Sequence, residues 1–312
     1  MIGPGDQTAP DTDDRPLGAL YDPTAPLTAS GNLRRRAAIS RVFETGAIGS
    51  ALLAVGVFCV IVEAVVARGG SVLSFGFLTK DLNQVDPAMG GIAPAIVGTA
   101  VIVAVATAIA MPLGILVAIF LAEFAGRRSA RAVRMALDLM NGLPTVVVAI
   151  MVFGLLVDHH GDSAFAASLA LAIIMLPLIA RSSHQVLMLV PSTLREAADA
   201  LGVSRWRGVV GVVLPSALGG IVTATILAAA RAAGETVPLI LLTSLVIGGN
   251  VQVNPAHALN GMPLTIFNDL ESGVPAGIAQ AWGTALVLMA IILAANIGAR
   301  VFLARNRRRL GL

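Results

Sequence analysis

The chain has 312 residues, of which 56% are hydrophobic and 12% charged, with a mean hydropathy of +0.86 and a formal net charge of +3. Soluble domains carry about 25% charged residues, so an ordinary soluble protein is excluded. The basic residues do not cluster with aromatic residues, which excludes a nucleic-acid-binding domain. The single cysteine, Cys59, allows no disulfide within the chain.

The N-terminal segment is rich in proline, aspartate, glycine and alanine and has almost no large apolar residues. Such a composition cannot bury enough apolar surface to fold. We therefore expect residues 1–40 to form a disordered cytoplasmic tail and residues 41–312 to form a membrane domain. We interpret the arginines at 34–36 as topology charges rather than as an export signal.

Long apolar runs define the rest of the chain. No charged residue lies between Asp86 and Glu123, and none lies between Glu271 and Arg300. Each run exceeds the roughly 20 residues that a membrane-spanning helix needs, whereas barrel strands alternate over about 10 residues. The sequence predicts an all-α polytopic membrane protein with six transmembrane helices. The predicted helices lie at about 46–67, 92–122, 136–157, 165–190, 216–248 and 277–303.

The distribution of basic residues predicts the orientation, because they favour the cytoplasmic side of short loops. They precede the first predicted helix and follow the second, fourth and sixth, whereas the opposite side has only Arg68 and Lys80. Both termini and the loop after the fourth helix are therefore predicted to be cytoplasmic, in a protein of the inner membrane. The cytoplasmic set is Arg34, Arg35, Arg36, Arg41, Arg127, Arg128, Arg131, Arg134, Arg195, Arg205, Arg207, Arg305, Arg307, Arg308 and Arg309.

The loop between the fourth and fifth helices contains a short helical pattern. Thr193 and Glu196 have the spacing of a capping box, and Gly202 fits the left-handed position beyond a helix end. We expect a helix of about two turns at 194–201, which is too short to persist alone in water. Pro215 is predicted to start the fifth helix. By itself, this pattern also fits a surface helix that merely joins two spans.

The same loop resembles the EAA loop of ABC importer permeases, whose pattern is Glu-Ala-Ala-x₃-Gly-x₉-(Ile/Val)-x-Leu-Pro. The matching residues are Glu196, Ala197, Ala198, Gly202, Val212, Leu214 and Pro215. The resemblance implies that residues 191–215 are a coupling loop that docks on a separate ATPase subunit. The only lysine, Lys80, is not part of a Walker A loop, so we expect no ATPase site and no catalytic residue in this chain.

Three ionisable residues lie within predicted spans, where such residues are costly and usually functional. Arg181 is in the fourth span, and Arg231 and Glu235 are in the fifth. The last two are four residues apart and can pair on one helix face, either to fix packing or to bind substrate. Arg181 has no carboxylate in its own span, so it needs an anion or a distant acid, and a guanidinium suits oxyanions.

A closer resemblance, covering about residues 90–303, is to PstA-type permeases of phosphate-specific ABC importers. Its motifs are Leu176–Arg181, Val190–Ala198, Ala230–Thr236 with Pro238-Leu239, Met262–Phe267 and Ala281-Trp282. The resemblance implies a type I ABC importer permease fold and a substrate path that includes Arg181, Arg231 and Glu235. It also implies three partners besides membrane lipid: a PstC-like permease, a PstB-like ATPase dimer and a phosphate-binding protein.

Other functions remain open from the residues alone. The cargo could be another oxyanion, such as sulfate, molybdate or a phosphonate, because a coupling motif does not specify cargo. A secondary transporter should show inverted, interrupted halves, and a membrane enzyme should show a nucleophile beside a base; neither is visible. His159, His160 and Asp162 are interpreted as a solvated loop, because no further histidine or cysteine completes a metal site. We expect no metal and no cofactor.

Overall fold

The computed structural model describes residues 33–83, 90–244 and 251–309. These ranges are helical with no strand, which confirms the all-α prediction. The helices are α1 (Leu33–Gly69), α2 (Phe75–Thr79), α3 (Ala93–Ile119), α4 (Arg127–Gly142), α5 (Thr145–Val152), α6 (Asp158–His160), α7 (Ala164–Met188), α8 (Ser192–Ala200), α9 (Arg205–Gly208), α10 (Leu214–Ala232), α11 (Val237–Leu242), α12 (Met262–Glu271) and α13 (Pro275–Arg309). Three π-helical segments extend them, at Phe120–Phe124, Phe153–Val157 and Val209–Val213.

Five helical stretches in the described ranges are long and apolar enough to cross a membrane. They are Arg35–Val72, Ala93–Phe124, Ala164–Met188, Arg205–Ala232 and Pro275–Arg305. A sixth crossing exists only if Arg127–Gly142 and Thr145–His160 count together, and these two helices are bent by 94°. The predicted number of six therefore holds with one bent span.

The prediction of a single continuous helix at 136–157 is wrong. The chain breaks between α4 and α5 at Leu143 and Pro144, where Leu143 is extended with φ −69° and ψ 133°. The cause is local, since the ring of a proline disfavours helical geometry at the residue before it. The break turns α4 nearly perpendicular to α5.

The predicted helix at 216–248 is also interrupted. α10 ends at Ala232, and α11 begins at Val237 with Pro238 in its first turn. Proline lacks the amide hydrogen that a helix interior needs, but it is tolerated at a helix start. Residues 245–248 of this prediction lie outside the described residues.

The predicted N-terminal tail at 1–40 falls mostly outside the described residues, which begin at Leu33. From Leu33 the chain is helical, so the end of the tail at residue 40 was placed too late. The chain separates into two compact units, Met1–Val60 and Ile61–Leu312. In the first unit, the described part of α1 exposes apolar residues on all sides, among them Phe43 and Phe58, as expected of a helix that faces lipid.

In the second unit, α3 and α7 pack closely and form the centre of the core. Small side chains at the contact allow this approach: a Cβ atom at Gly114 would lie 2.8 Å from Ile179 Cγ2. Ala106 and Ala170 are fully buried in the same core. α10 packs on α7 and on α13. The segment that joins α7 to α10 is therefore attached at both ends to helices that pack together.

Candidate coupling loop and anion path

The predicted loop helix is present as α8, Ser192–Ala200, with no fully buried residue. It starts earlier than predicted, because Pro191 with φ −54° and ψ 139° is its N-cap. Thr193 therefore lies inside the first turn and cannot act as the N-cap of a capping box. The capping-box prediction is wrong, and no side chain caps this helix start.

The helix ends where the sequence predicts. Gly202 has φ +68°, a left-handed conformation that glycine adopts without penalty. The amide of Val203 donates to the carbonyl oxygen of Ala198 at 3.1 Å, and the amide of Gly202 donates to that of Asp199 at 3.0 Å. These two bonds form a Schellman motif, which satisfies the last carbonyls of α8.

The three residues of the Glu-Ala-Ala motif are not equivalent in the structure. Glu196 and Ala197 are exposed, whereas Ala198 is half-buried and lines a cavity of about 260 Å³ between α8, α9 and the following π segment. The exposed surface available to another subunit is therefore formed by Glu196, Ala197 and their neighbours. Ala198 instead faces Gly208, whose Cβ position lies 3.7 Å from the Ala198 Cβ.

Arg195 fastens this helix to the membrane core, and sequence reasoning treated it only as a topology charge. Its Nε donates to Glu123 Oε1 at 3.0 Å, and its two terminal nitrogens donate to the carbonyl oxygens of Val190 at 2.8 Å and Leu187 at 2.9 Å. Glu123 is only 7% exposed and lies in the π segment after α3. One guanidinium thus joins α8, the end of α7 and the end of α3.

A signal for this pair exists in the sequence. Glu123 is the first charge after a long uncharged run, at the end of a span, where a carboxylate needs a partner. Fifteen basic residues were assigned to the same side of the membrane, so the sequence could not say which of them was the partner. Only the folded position of α8 near the end of α3 selects Arg195.

Leu214 and Pro215 lie within a longer helical stretch than predicted. The stretch runs from Arg205 to Ala232, and within it α10 begins at Leu214 with Pro215 in its first turn, as predicted. The π segment Val209–Val213 immediately precedes the proline. Its altered hydrogen bonding accommodates a residue that lacks an amide hydrogen and would clash with the preceding turn.

The start of that stretch contacts the end of α3. The Trp206 ring lies 6.4 Å from the Phe124 ring, and the Arg205 guanidinium lies 5.7 Å from the same ring centre. These contacts add to the Arg195–Glu123 pair at the same corner. α8 and the segment after it are thus both fastened to the α3 terminus.

Arg231 and Glu235 line one cavity of about 250 Å³. Its wall comes from α4, α5, α7 and the end of α10, and includes Asn141, Pro144 and Thr145 at the break between α4 and α5. The predicted pairing on a helix face is wrong, because α10 ends at Ala232 and Glu235 follows in a turn. No ion pair joins Arg231 to Glu235 in the described ranges, so both charges remain available to the cavity.

Arg181 does not line that cavity. Its Nη2 donates to Asp138 Oδ1 on α4, and the two side chains are 39% and 65% exposed. The distant acid that the sequence analysis left open is therefore present, and Arg181 is not an unpaired guanidinium. The structure therefore places Arg231 and Glu235 in one cavity. Arg181 lies outside that cavity and pairs with Asp138 of α4.

A larger cavity of about 640 Å³ lies between α7 and α10 beside α8, with a mostly apolar lining. Ser182, Ser216 and Thr223 are its polar residues, and it contains no charged side chain. It therefore lacks the cations that would hold an oxyanion.

The histidines His159 and His160 end the short helix α6, and the nearby Asp162 accepts a hydrogen bond from Ser244.

The helical fold and the arrangement of α8 at the end of α3 define a class of membrane transport protein. Comparison with known proteins identifies that class. The chain belongs to the family described as "Binding-protein-dependent transport system inner membrane component", whose profile matches residues 110–308. Among solved structures, a bacterial alginate ABC transporter shares the fold with a TM-score of 0.58 and 18% identity, over 85% of this chain and 97% of that one.

Within the class, the chain is similar to phosphate transport permeases. It is 36% identical over 303 residues to "Phosphate transport system permease protein PstA 1" of Mycobacterium tuberculosis, covering 95% of this chain and 98% of that protein. It is 35% identical over 252 residues to the PstA protein of Yersinia pestis, covering 79% of this chain and 84% of that protein. The predicted resemblance to PstA-type permeases is confirmed.

Proposed function

We propose that this chain is the permease subunit of an ATP-driven importer of inorganic phosphate and forms part of the path across the inner membrane. The single observation that carries the proposal is the cavity at the end of α10, which contains Arg231 and Glu235 with no ion pair between them. The near full-length similarity to phosphate transport permeases supports phosphate as the cargo.

The two side chains of the cavity suit a protonated oxyanion. The guanidinium of Arg231 presents parallel donors to two oxygens of the anion. Inorganic phosphate keeps at least one proton at neutral pH, and the Glu235 carboxylate can accept a hydrogen bond from that O–H. Sulfate and molybdate are fully ionised, so the same carboxylate repels them. The pair therefore favours phosphate over sulfate and molybdate.

ATP hydrolysis comes from a separate subunit in this proposal. α8 serves as the coupling helix, with Glu196 and Ala197 on its exposed side. When a PstB-like ATPase dimer closes, it displaces α8, and Arg195 transmits the displacement to α3 and α7. Together with a PstC-like permease and an external phosphate-binding protein, this shifts the population between outward-open and inward-open states.

Phosphate uptake tests the path. The chain is expressed with its partner subunits in cells that lack their own phosphate permeases. Arg231→Gln should lower ³²P-phosphate uptake about 10- to 100-fold, the loss expected for a hydrogen bond to a charged group. Arg300→Gln is the matched control, because Arg300 is an exposed arginine of α13. Equal uptake by the two variants would remove Arg231 from the path.

Two further arms separate the alternatives. Omission of the ATPase subunit should abolish uptake, whereas a secondary transporter would keep it. Glu235→Gln should allow sulfate and molybdate to compete with phosphate, whereas the proposal expects no competition in the unmodified importer. Competition that is unchanged in this variant would assign cargo selection to another residue.

A further inference from the structure

Three arginines project from one solvent-exposed face of α4. Arg127, Arg131 and Arg134 are spaced by four and three residues, so they project from the same face. All three are exposed, and they line a cavity of about 500 Å³ together with Ala130, Met135 and Asp138. We call these three residues the α4 arginine stripe.

The charge of the stripe is not neutralised by the described part of the protein. Asp138 is the only acidic residue of α4, and its carboxylate already pairs with Arg181. No ion pair within the described ranges includes Arg127, Arg131 or Arg134. The stripe also begins at the N-terminus of α4, where the helix dipole is positive and no acidic residue is present in the first turn. The site therefore attracts an anion.

The buried face of α4 beside the stripe holds the arginines in place. Leu137 is buried and packs with Leu121 of the α3 end and Ala180 of α7, while Val133 packs beside them. The arginines consequently project from a helix that is fixed to the core. A fixed backbone lowers the entropic cost of binding a ligand with several side chains at once.

α4 also connects the stripe to the proposed anion path. Its last residues, Met140 and Asn141, line the cavity that contains Arg231 and Glu235. Arg181, paired with Asp138, lies between the two cavities along the helix. One helix thus has an arginine-containing cavity near each end and a paired guanidinium between them.

We propose that the α4 arginine stripe is a second oxyanion-binding site, whose ligand is a phosphate group. The chemistry is the same whether the phosphate is free in solution or belongs to an anionic lipid headgroup, since guanidinium groups bind two phosphate oxygens at once. The site is defined by the stripe itself, so it does not depend on the cargo assigned above.

Arginine footprinting of the complete importer complex tests this site. The complex is reconstituted into bilayers of phosphatidylcholine alone or with phosphatidylglycerol, and treated with phenylglyoxal with or without inorganic phosphate. Chloride at equal ionic strength controls for screening. Mass spectrometry follows Arg127, Arg131 and Arg134, with Arg128 as the internal reference, because it is exposed on the same helix but does not line the cavity. At a phosphate concentration ten times Kd, modification of the stripe should slow about tenfold relative to Arg128.

The arms distinguish the two sources of phosphate. Protection by inorganic phosphate in phosphatidylcholine identifies a soluble anion, and protection by phosphatidylglycerol without added phosphate identifies a lipid headgroup. Equal modification of the stripe and Arg128 in every condition overturns the proposal. Stripe arginines that are unreactive before any ligand is added are covered by another subunit, which overturns it as well. The unmodified protein is used throughout, so failure of a variant to fold does not affect the result.

Discussion

Among the described residues, two arginine–carboxylate pairs link helices, and they occupy different environments. The Arg195–Glu123 pair is 27% and 7% exposed, and Arg195 also donates to two main-chain carbonyl oxygens. The Arg181–Asp138 pair is 39% and 65% exposed, and its guanidinium has one described partner. In the more buried pair, loss of either partner leaves a charge that is largely shielded from water, whereas water can replace a partner in the exposed pair.

This difference separates a structural link from an exchangeable one. The buried pair joins α8 to α3 and α7, so a force on α8 reaches the spanning helices. The exposed pair joins α7 to α4 at the surface, where solvent can replace Asp138 as the partner of Arg181. The same pair of residue types therefore differs in strength according to its surroundings.

The largest effect is expected at the buried pair. Glu123→Gln should lower the free energy of unfolding by about 3–5 kcal/mol, because Arg195 loses its charge partner in a largely buried site. The measurement is thermal or denaturant unfolding of the purified complex. Arg207→Gln, which changes an exposed arginine after the same helix, should be nearly neutral. Combining Glu123→Gln with Arg195→Gln should cost less than the sum of the single changes.

A smaller effect is expected at the end of α8. Gly202→Ala should cost roughly 1–2 kcal/mol, because φ is +68° and a Cβ atom there meets no neighbour, so the penalty is conformational only. The change should also raise the ATP hydrolysed per phosphate transported. Gly211→Ala is the control, since its Cβ position is equally open and its φ is not positive. A normal ATP-to-phosphate ratio in Gly202→Ala would argue against a coupling role for α8.

Asp269 on α12 shows what a carboxylate does without an arginine. Its Oδ2 is buried with no hydrogen-bond partner, and burial raises the pKa of Asp269 from 3.8 to about 6. The folded state therefore holds the proton more tightly than the unfolded state. This contribution favours folding below pH 4 and is lost as the pH rises towards 6. Asp269→Asn should flatten this part of the stability profile, which unfolding measurements between pH 4 and 7 would show.

The smallest stability effect is expected at the exposed pair. Asp138→Asn should change the free energy of unfolding by less than about 1 kcal/mol, because solvent screens both groups. It should, however, increase the reactivity of Arg181 towards phenylglyoxal, since the guanidinium loses its partner. A destabilisation equal to that of Glu123→Gln would mean that the two pairs are equivalent and would contradict the comparison.

Several features could be predicted from the sequence because they depend on local chemistry. The uncharged runs indicate helices that cross a membrane, and Gly202 marks the end of α8 in a left-handed conformation. The Glu-Ala-Ala loop indicates the family, which the comparisons confirm. The orientation of the termini and the site roles of Arg181, Arg231 and Glu235 stay predictions.

The errors came from competition between local signals. A hydropathy window does not detect that Pro144 interrupts the third span, and a four-residue spacing implies a shared helix face only if the helix continues. α10 ends at Ala232, so Arg231 and Glu235 line a common cavity and do not share a helix face. Pro215 lies in the first turn of α10, but the span begins earlier, at Arg205, because a π segment continues the helix on the N-terminal side.

The sequence by itself determined that this chain is a helical membrane permease, because transfer from water to lipid depends on the apolar content of each segment. It also determined the length and end of α8 within about two residues. The tertiary structure decided which charges meet: Glu123 with Arg195, and Asp138 with Arg181. Those partners are 72 and 43 residues apart, so only the folded positions of α8 and α4 could select them.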